Sequence, residues 1–213
     1  MDTAWAWVTE SWYPGFCLTF VRDRDPATVA ERLGGGAPVV MTVEQTGDVY
    51  PPHQRGSLLR LGTVPGWTYC YEDRAPVAFL PTLLHRLSAG TEVIQVVKGG
   101  DGMNIARRLS DGRLLEQFEP GRTATAAGPD LLLPRVERLL SDQPGTSPLL
   151  ATLTAVSELI GAAVDRETLD GPLLTAFSTF TEPAAAATPR PSAARHQLGR
   201  RLGTVTPPQP RPE

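Results

Sequence analysis

Along the first hundred residues, apolar positions change period several times, and each change marks an element. Phe16-Cys17-Leu18-Thr19-Phe20-Val21 is rich in β-formers and apolar at both alternating sets of positions. That is the pattern of a central strand covered on two faces. Asp25-Pro26 then opens a helix, with Asp as cap and Pro at the first helical position, where its missing N–H costs nothing. Val29 and Leu33 share one face of that helix, and Gly34-Gly35-Gly36 ends it. Thr42-Val43-Glu44-Gln45 fits a capping box, followed by a short helix limited by Gly47. Residues 49–56 read as a loop.

The spans 58–64 and 67–71 read as two strands joined at Pro65-Gly66, a type II turn signal. Such a turn twists a hairpin the wrong way, so pairing of these strands needs compensation elsewhere. Leu80, Leu83, Leu84 and Leu87 have helical spacing, with Pro81 in the first turn and Gly90 beyond the end. Val93-Ile94-Gln95-Val96-Val97 is another strand apolar on both faces. The spans 105–109 and 114–118 flank Asp111-Gly112, the best hairpin signal in the chain. Helices are expected over 131–140 and 148–164, the second with Ser147 as cap and Pro148 at the first position.

The order strand-helix-strand-strand-helix-strand predicts an α+β fold. The expected architecture is an antiparallel or mixed sheet with helices packed on it. Its closest plan is ferredoxin-like (βαββαβ), with an added hairpin and C-terminal helices. Residues 1–180 are expected to form a single domain. Residues 181–213 hold an alanine run, seven prolines and almost no large apolar side chains, so a disordered Ala/Pro/Arg-rich tail is expected.

The 213-residue chain carries a formal charge of −3, unevenly spread. Arg190, Arg195, Arg200, Arg201 and Arg211 sit in the tail against Glu182 and Glu213, which leaves the body more acidic than the total. An acidic body argues against nucleic acid as the main partner, because phosphate neutralisation dominates that affinity. The opening Met1-Asp2-Thr3-Ala4-Trp5 has neither a basic nor a continuous apolar region, so no signal peptide is expected. The most apolar later stretch, 149–164, is too polar to span a bilayer. A cytoplasmic protein without membrane association is expected, with Cys17 and Cys70 as free thiols.

Candidate chemistry is sparse. Trp5, Trp7, Trp12 and Tyr13 lie within nine residues, just before the first strand. Concentrated aromatics suit a partner-binding anchor, because Trp and Tyr dominate binding hot spots. The plain alternative is that these rings plug one end of the core. Cys70, Glu72, Asp73 and His85 cluster in sequence around a strand-to-helix corner and form the candidate ligand site. The cysteines fall on strands read as buried, which suits small hydrophobes better than nucleophiles. No phosphate loop, metal-ligand spacing or catalytic triad is present, so no catalytic residue, metal or cofactor is assigned. Gly34-Gly35-Gly36 follows a helix, whereas a dinucleotide loop follows a strand and opens a helix. The stretch Lys98-Gly99-Gly100-Asp101-Gly102 connects two strands. Arg107, Arg108 and Arg113 are expected to pair with Glu116 and Glu119 on a solvated sheet edge.

The stretch Trp5-Ala6-Trp7-Val8-Thr9-Glu10-Ser11-Trp12, followed by Gly15-Phe16-Cys17-Leu18-Thr19-Phe20-Val21, resembles the opening of a family of uncharacterised actinobacterial proteins that share a domain of unknown function. The resemblance continues through Gly66-Trp67, Tyr71-Glu72-Asp73, 87–92 and Phe118-Glu119-Pro120, and covers roughly residues 4–175. It implies a bacterial, cytoplasmic setting and transfers no activity. The expected function is therefore a non-enzymatic protein-binding module, immunity-type or regulatory, with an unidentified protein partner. The alternative is an enzyme or small-ligand-binding protein with its site at the 70–85 corner.

Overall fold

The computed structural model describes residues 3–9, 15–50, 55–73, 75–100, 102–121 and 131–180. Contacts divide the chain into Met1–Glu182 and Pro183–Glu213, and every described residue lies in the first of these.

Eight strands form one antiparallel sheet: β1 (Phe16–Arg22), β2 (Val39–Met41), β3 (Ser57–Val64), β4 (Trp67–Glu72), β5 (Glu92–Lys98), β6 (Asn104–Ser110), β7 (Arg113–Phe118) and β8 (Leu173–Ser178). Their spatial order is β2-β8-β3-β4-β1-β5-β6-β7. Helices α1 (Pro26–Arg32), α2 (Val43–Val49), α3 (Pro81–Leu87), α4 (Leu133–Asp142), α5 (Pro148–Ile160) and α6 (Arg166–Asp170) connect and cover it. Two 3-10 segments, Thr3–Thr9 and Val77–Phe79, complete the elements.

The central four strands run β3-β4-β1-β5, all antiparallel, with α1 and α3 as connections. This is the βαββαβ plan expected from the element order. The β6–β7 hairpin extends one edge, and β8 with β2 extends the other. The strand period sorts side chains to two cores. Leu18, Phe20, Tyr69, Tyr71, Ile94 and Val96 face α4 and α5, whereas Cys17, Val21, Cys70, Val93 and Val97 face α1 and α3. With helices on both faces, β1 is buried at Phe16–Val21, which explains its unbroken apolar run.

Local chemistry sets the joints. The Asp25 side chain accepts a hydrogen bond from Thr28 N, and Thr42 with Gln45 forms the reciprocal capping box. Asp111 (φ 49°) and Gly112 (φ 70°) are both left-handed, as the favoured two-residue hairpin turn requires. The strands flanking Pro65-Gly66 do pair, from Val64↔Trp67 to Arg60↔Tyr71.

Three expectations need correction. Helix α5 stops at Ile160, because Gly161 takes a left-handed conformation (φ 75°), and Ser147 makes no side-chain capping bond. Strands β2 and β8 and helix α6 form where no element was expected. The pairing of Arg108 with Glu116 is buried, not solvated. Glu116 accepts from Arg108 Nε at 3.2 Å and from the backbone N–H groups of Leu132 at 3.0 Å and Leu133 at 2.7 Å. It thus caps α4 from the neighbouring hairpin, satisfying N–H groups that a helix start leaves orphaned. Arg107 lies on the opposite sheet face, where it bonds Gln117 Oε1 at 2.9 Å.

Candidate functional site

The corner after β4 is held by buried polar side chains from several strands. Register places Glu72 opposite Cys17 and Cys70 opposite Thr19, all facing the α1–α3 side. The 3-10 turn Val77–Phe79 folds across them, and its backbone groups need partners once buried. Glu72 provides acceptors, taking hydrogen bonds from Ser57 Oγ at 2.6 Å, Val77 N at 2.7 Å and Ala78 N at 3.2 Å. Gln95 Nε2 donates to Ala78 O at 2.8 Å and to Thr19 Oγ1 at 3.2 Å. Arg107 donates to Gln95 Oε1 at 3.2 Å, and its guanidinium lies 4.6 Å from the centre of the Phe79 ring. The result is a polar ribbon from β3 to β7 that fixes the turn from beneath.

Burial dominates the electrostatics here. It pushes the Glu72 carboxyl up to about 7, although the bonds from Ser57, Val77 and Ala78 pull the other way. Burial, reinforced by the nearby Glu72 charge, also pushes the Cys17 and Cys70 thiols well up. Both cysteines are free thiols inside an apolar core, an environment that leaves thiols inert.

The Glu72 value has a consequence for stability. Between about 4.5 and about 7 the folded chain holds a proton that the unfolded chain releases. The stability contributed by this group is therefore full below pH about 4.5 and is lost as pH rises through about 7. Glu72→Gln is expected to remove that loss. Melting temperatures of both proteins between about pH 5 and 8 test this. A native-minus-variant difference that stays flat or rises across the window would contradict it.

Beside the turn lies a cleft of about 250 Å³, lined among others by Phe16, Asp73, Ala75, Phe79, Lys98 and Met103. Its backbone is unusual at two points. Ala75 is left-handed (φ 40°) without being glycine. Gly15 has φ 147°, and a Cβ there would come within 2.6 Å of Lys98 O. Lys98 is the one lysine of the chain. Its Nζ donates to Val8 O at 2.9 Å, and burial lowers its pKa.

The four residues of the candidate ligand site do not converge. Cys70 and Glu72 are buried together, and Asp73 is exposed at the cleft. His85 is exposed on α3 and lies against the Asp111-Gly112 turn, where a Cβ on Gly112 would approach its Nε2 to 2.8 Å. That turn closes the opposite end of the strands from Glu72. Among the described residues no group of three or more His, Cys, Asp or Glu side chains is placed to hold a metal ion.

The aromatic opening is split. Trp5 and Trp7 are buried in the core on the α4–α5 side. Trp5 Nε1 donates to Ser157 Oγ at 2.7 Å, and the Trp7 ring lies 5.3 Å from Phe16 and 6.3 Å from Tyr71. These two rings seal one end of the core, the plainer of the two readings, and present no face to a partner as placed. Trp12 and Tyr13 lie outside the described residues.

A second candidate surface was not evident from sequence. Strand β2 ends the sheet, and among the described residues it pairs only with β8. Val39 and Val40 are 56% and 60% exposed, and Val43 and Val49 on α2 are 40% and 51% exposed. Successive strand residues point to opposite faces, so exposure of both Val39 and Val40 marks a bare edge. Glu44 and Asp48, also exposed, put negative charge beside the valines. The only hint in the sequence was the three-residue run Val39-Val40-Met41, too short to separate from a loop.

No curated protein matches the chain. No solved structure matches it either. Among the described residues no helix is long and apolar enough to cross a membrane. A family of unknown function is found, as the resemblance implied, over a segment that takes in β1 to β7 and α1 to α4 and ends before α5, short of the expected limit near residue 175. Residues 1–145 match the family of unknown function DUF6461, and the chain belongs to that family.

Proposed function

We propose that this protein is a non-enzymatic binding module, regulatory or immunity-type, that takes an extended segment of a partner protein onto the β2 edge. The observation that carries the reading is the exposure of Val39 and Val40 on a strand that, among the described residues, pairs only with β8, with Val43 and Val49 also exposed on the helix that follows. Natural sheets usually protect such edges with charge, proline or a covering element, and a bare apolar edge favours strand addition. The other edge strand, β7, exposes one large apolar side chain, Leu114, next to an exposed arginine, Arg113.

Magnitudes indicate how the partner is held. Covering four roughly half-exposed valines supplies about 4 kcal/mol. Association itself costs about 4–15 kcal/mol. The valines alone do not hold a partner, so backbone hydrogen bonds along β2 must contribute. The partner segment is therefore extended, apolar at alternating positions, and flanked by basic residues that complement Glu44 and Asp48. Inert buried thiols and the separation of His85 from Glu72 support a non-enzymatic role.

The test is a pull-down from native host lysate with three baits: the full chain, residues 1–180, and a full-chain Val39→Lys, Val40→Lys variant. The expected result is one stoichiometric protein on the first two baits that is absent from the third, with the variant's melting temperature unchanged. Both valines are surface residues, so the substitutions should cost within about 0.5 kcal/mol. Equal capture by the variant, or no capture by any bait, overturns the reading. Capture by the full chain alone would move recognition into the Arg/Pro-rich tail.

A further inference from the structure

We propose that residues 36–49, strand β2 with helix α2, form an arm that docks onto the sheet and releases from it as one unit, and that Arg60 is the positioning residue that latches it. Its functional consequence rests on the reading above: the β2 edge takes a partner strand only while the arm is docked.

The arm has no anchor in the core. Of its residues only Thr46 is buried, and none belongs to either apolar cluster. The bonds that close α2 stay inside the segment. Thr42 and Gln45 cap each other, Thr46 Oγ1 donates to Val43 O at 2.6 Å, and Tyr50 N donates to Thr46 O at 2.8 Å. A segment that bonds to itself and buries almost no apolar surface opens at far lower free energy than the core. Three described ties join it to the body. Strand β2 pairs with β8 over Val39–Met41. At the arm's end the Tyr50 ring stacks on Phe177, with centres 4.9 Å apart. Arg60 Nη1 donates to Met41 O at 3.3 Å.

Arg60 is placed to act as the latch. Register sets it opposite Thr175, and Thr175 opposite Val39, so its side chain reaches across β8 toward β2. The residue is 3% exposed, and its described hydrogen bonds all go to neutral oxygens. Nε and Nη2 donate to Leu169 O at 3.1 and 2.9 Å, and Nη2 donates to Gly171 O at 2.6 Å. These carbonyls belong to the C-terminal end of α6, where a cation is favoured. Nη1 faces the other way, to Met41 O and to Thr175 Oγ1 at 3.4 Å. Asp170, beside Leu169, bonds Arg166 instead. One planar fork thus joins α6, β8 and β2, a span that the single point charge of lysine does not cover.

Native-state hydrogen exchange of the full chain, with no partner present, tests this. The protected amides of β2 and α2 should exchange through one common opening that low urea does not accelerate, well before those of β1 and β5. Arg60→Lys keeps the cation and gives up the fork, whereas Arg60→Met removes the charge. Each should speed exchange of the arm about tenfold or more, the effect of losing one charge-assisted hydrogen bond. The Met variant should show at least the effect of the Lys variant. Urea denaturation followed by circular dichroism reads any change in global stability separately. Arm amides that exchange only together with β1 and β5 overturn the proposal. So do unchanged arm rates in a folded variant, or failure of both variants to fold, which would make Arg60 a support of the whole domain. None of these results involves a partner, so failure to capture one from lysate overturns the edge reading and leaves the latch standing.

Discussion

Replacing Glu116 with alanine is expected to lower the stability of the fold by about 3–5 kcal/mol, the range for removing one partner of a buried ion pair. The expectation rests on what Glu116 holds. Its carboxylate is fully buried and bonds Arg108, itself only 7% exposed. It also receives the backbone N–H groups at the start of α4, where Leu132 offers no side-chain cap. Alanine would remove the 3.2 Å contact to the buried Arg108 guanidinium, which also reaches Glu92 at 3.4 Å, and would take the Glu116 acceptor from the first N–H groups of α4. Urea denaturation followed by circular dichroism reads the loss. Glu116→Gln keeps an acceptor and should fall between the two. A loss below about 1 kcal/mol for alanine would place this pair among ordinary surface bridges and contradict the buried geometry.

Trp5→Ala is expected to cost a similar amount, about 3–5 kcal/mol. Trp5 is fully buried and joins the opening segment to α5 through Ser157. The cavity left by its removal lies between the sheet and α5, where Leu153 and Val156 are already packed and buried. Trp5→Phe keeps most of the apolar volume and gives up the hydrogen bond, so it should cost clearly less. The same denaturation experiment distinguishes the two roles for the ring. A Trp5→Ala protein as stable as the native chain would mean the ring is not a core element.

The framework of the fold was legible where the signal is local. The unbroken apolar runs at Phe16–Val21 and Val93–Val97 record strands covered on both faces. Asp25, the Thr42–Gln45 box and Asp111-Gly112 each act within a few residues and behave as their chemistry predicts. The element order was then enough to place β3, β4, β1 and β5 in the βαββαβ plan. What escaped depends on distant residues. Strand β2 is three residues long and exists because β8, more than 130 positions later, pairs with it. Arg108 and Glu116 look like a solvated hairpin pair until α4 covers them, and the sequence around Asp111 carries no sign of that. Glu72 reads as a turn carboxylate beside Asp73, yet one is buried and the other exposed, because Val77–Phe79 folds back over only the first. The tryptophans show the same limit. Anchor and core plug share one pattern, and the position of α5 decides for Trp5 and Trp7.

The central claim, that the β2 edge receives a partner strand, is most directly tested by hydrogen exchange. Amide exchange of the full chain would be followed alone and in complex with the protein captured in the pull-down. The account predicts strong new protection at Val39–Met41, with smaller changes at β7 and at the buried strands β1 and β5, which are already protected. Unchanged exchange at Val39–Met41, with new protection concentrated elsewhere, would contradict it.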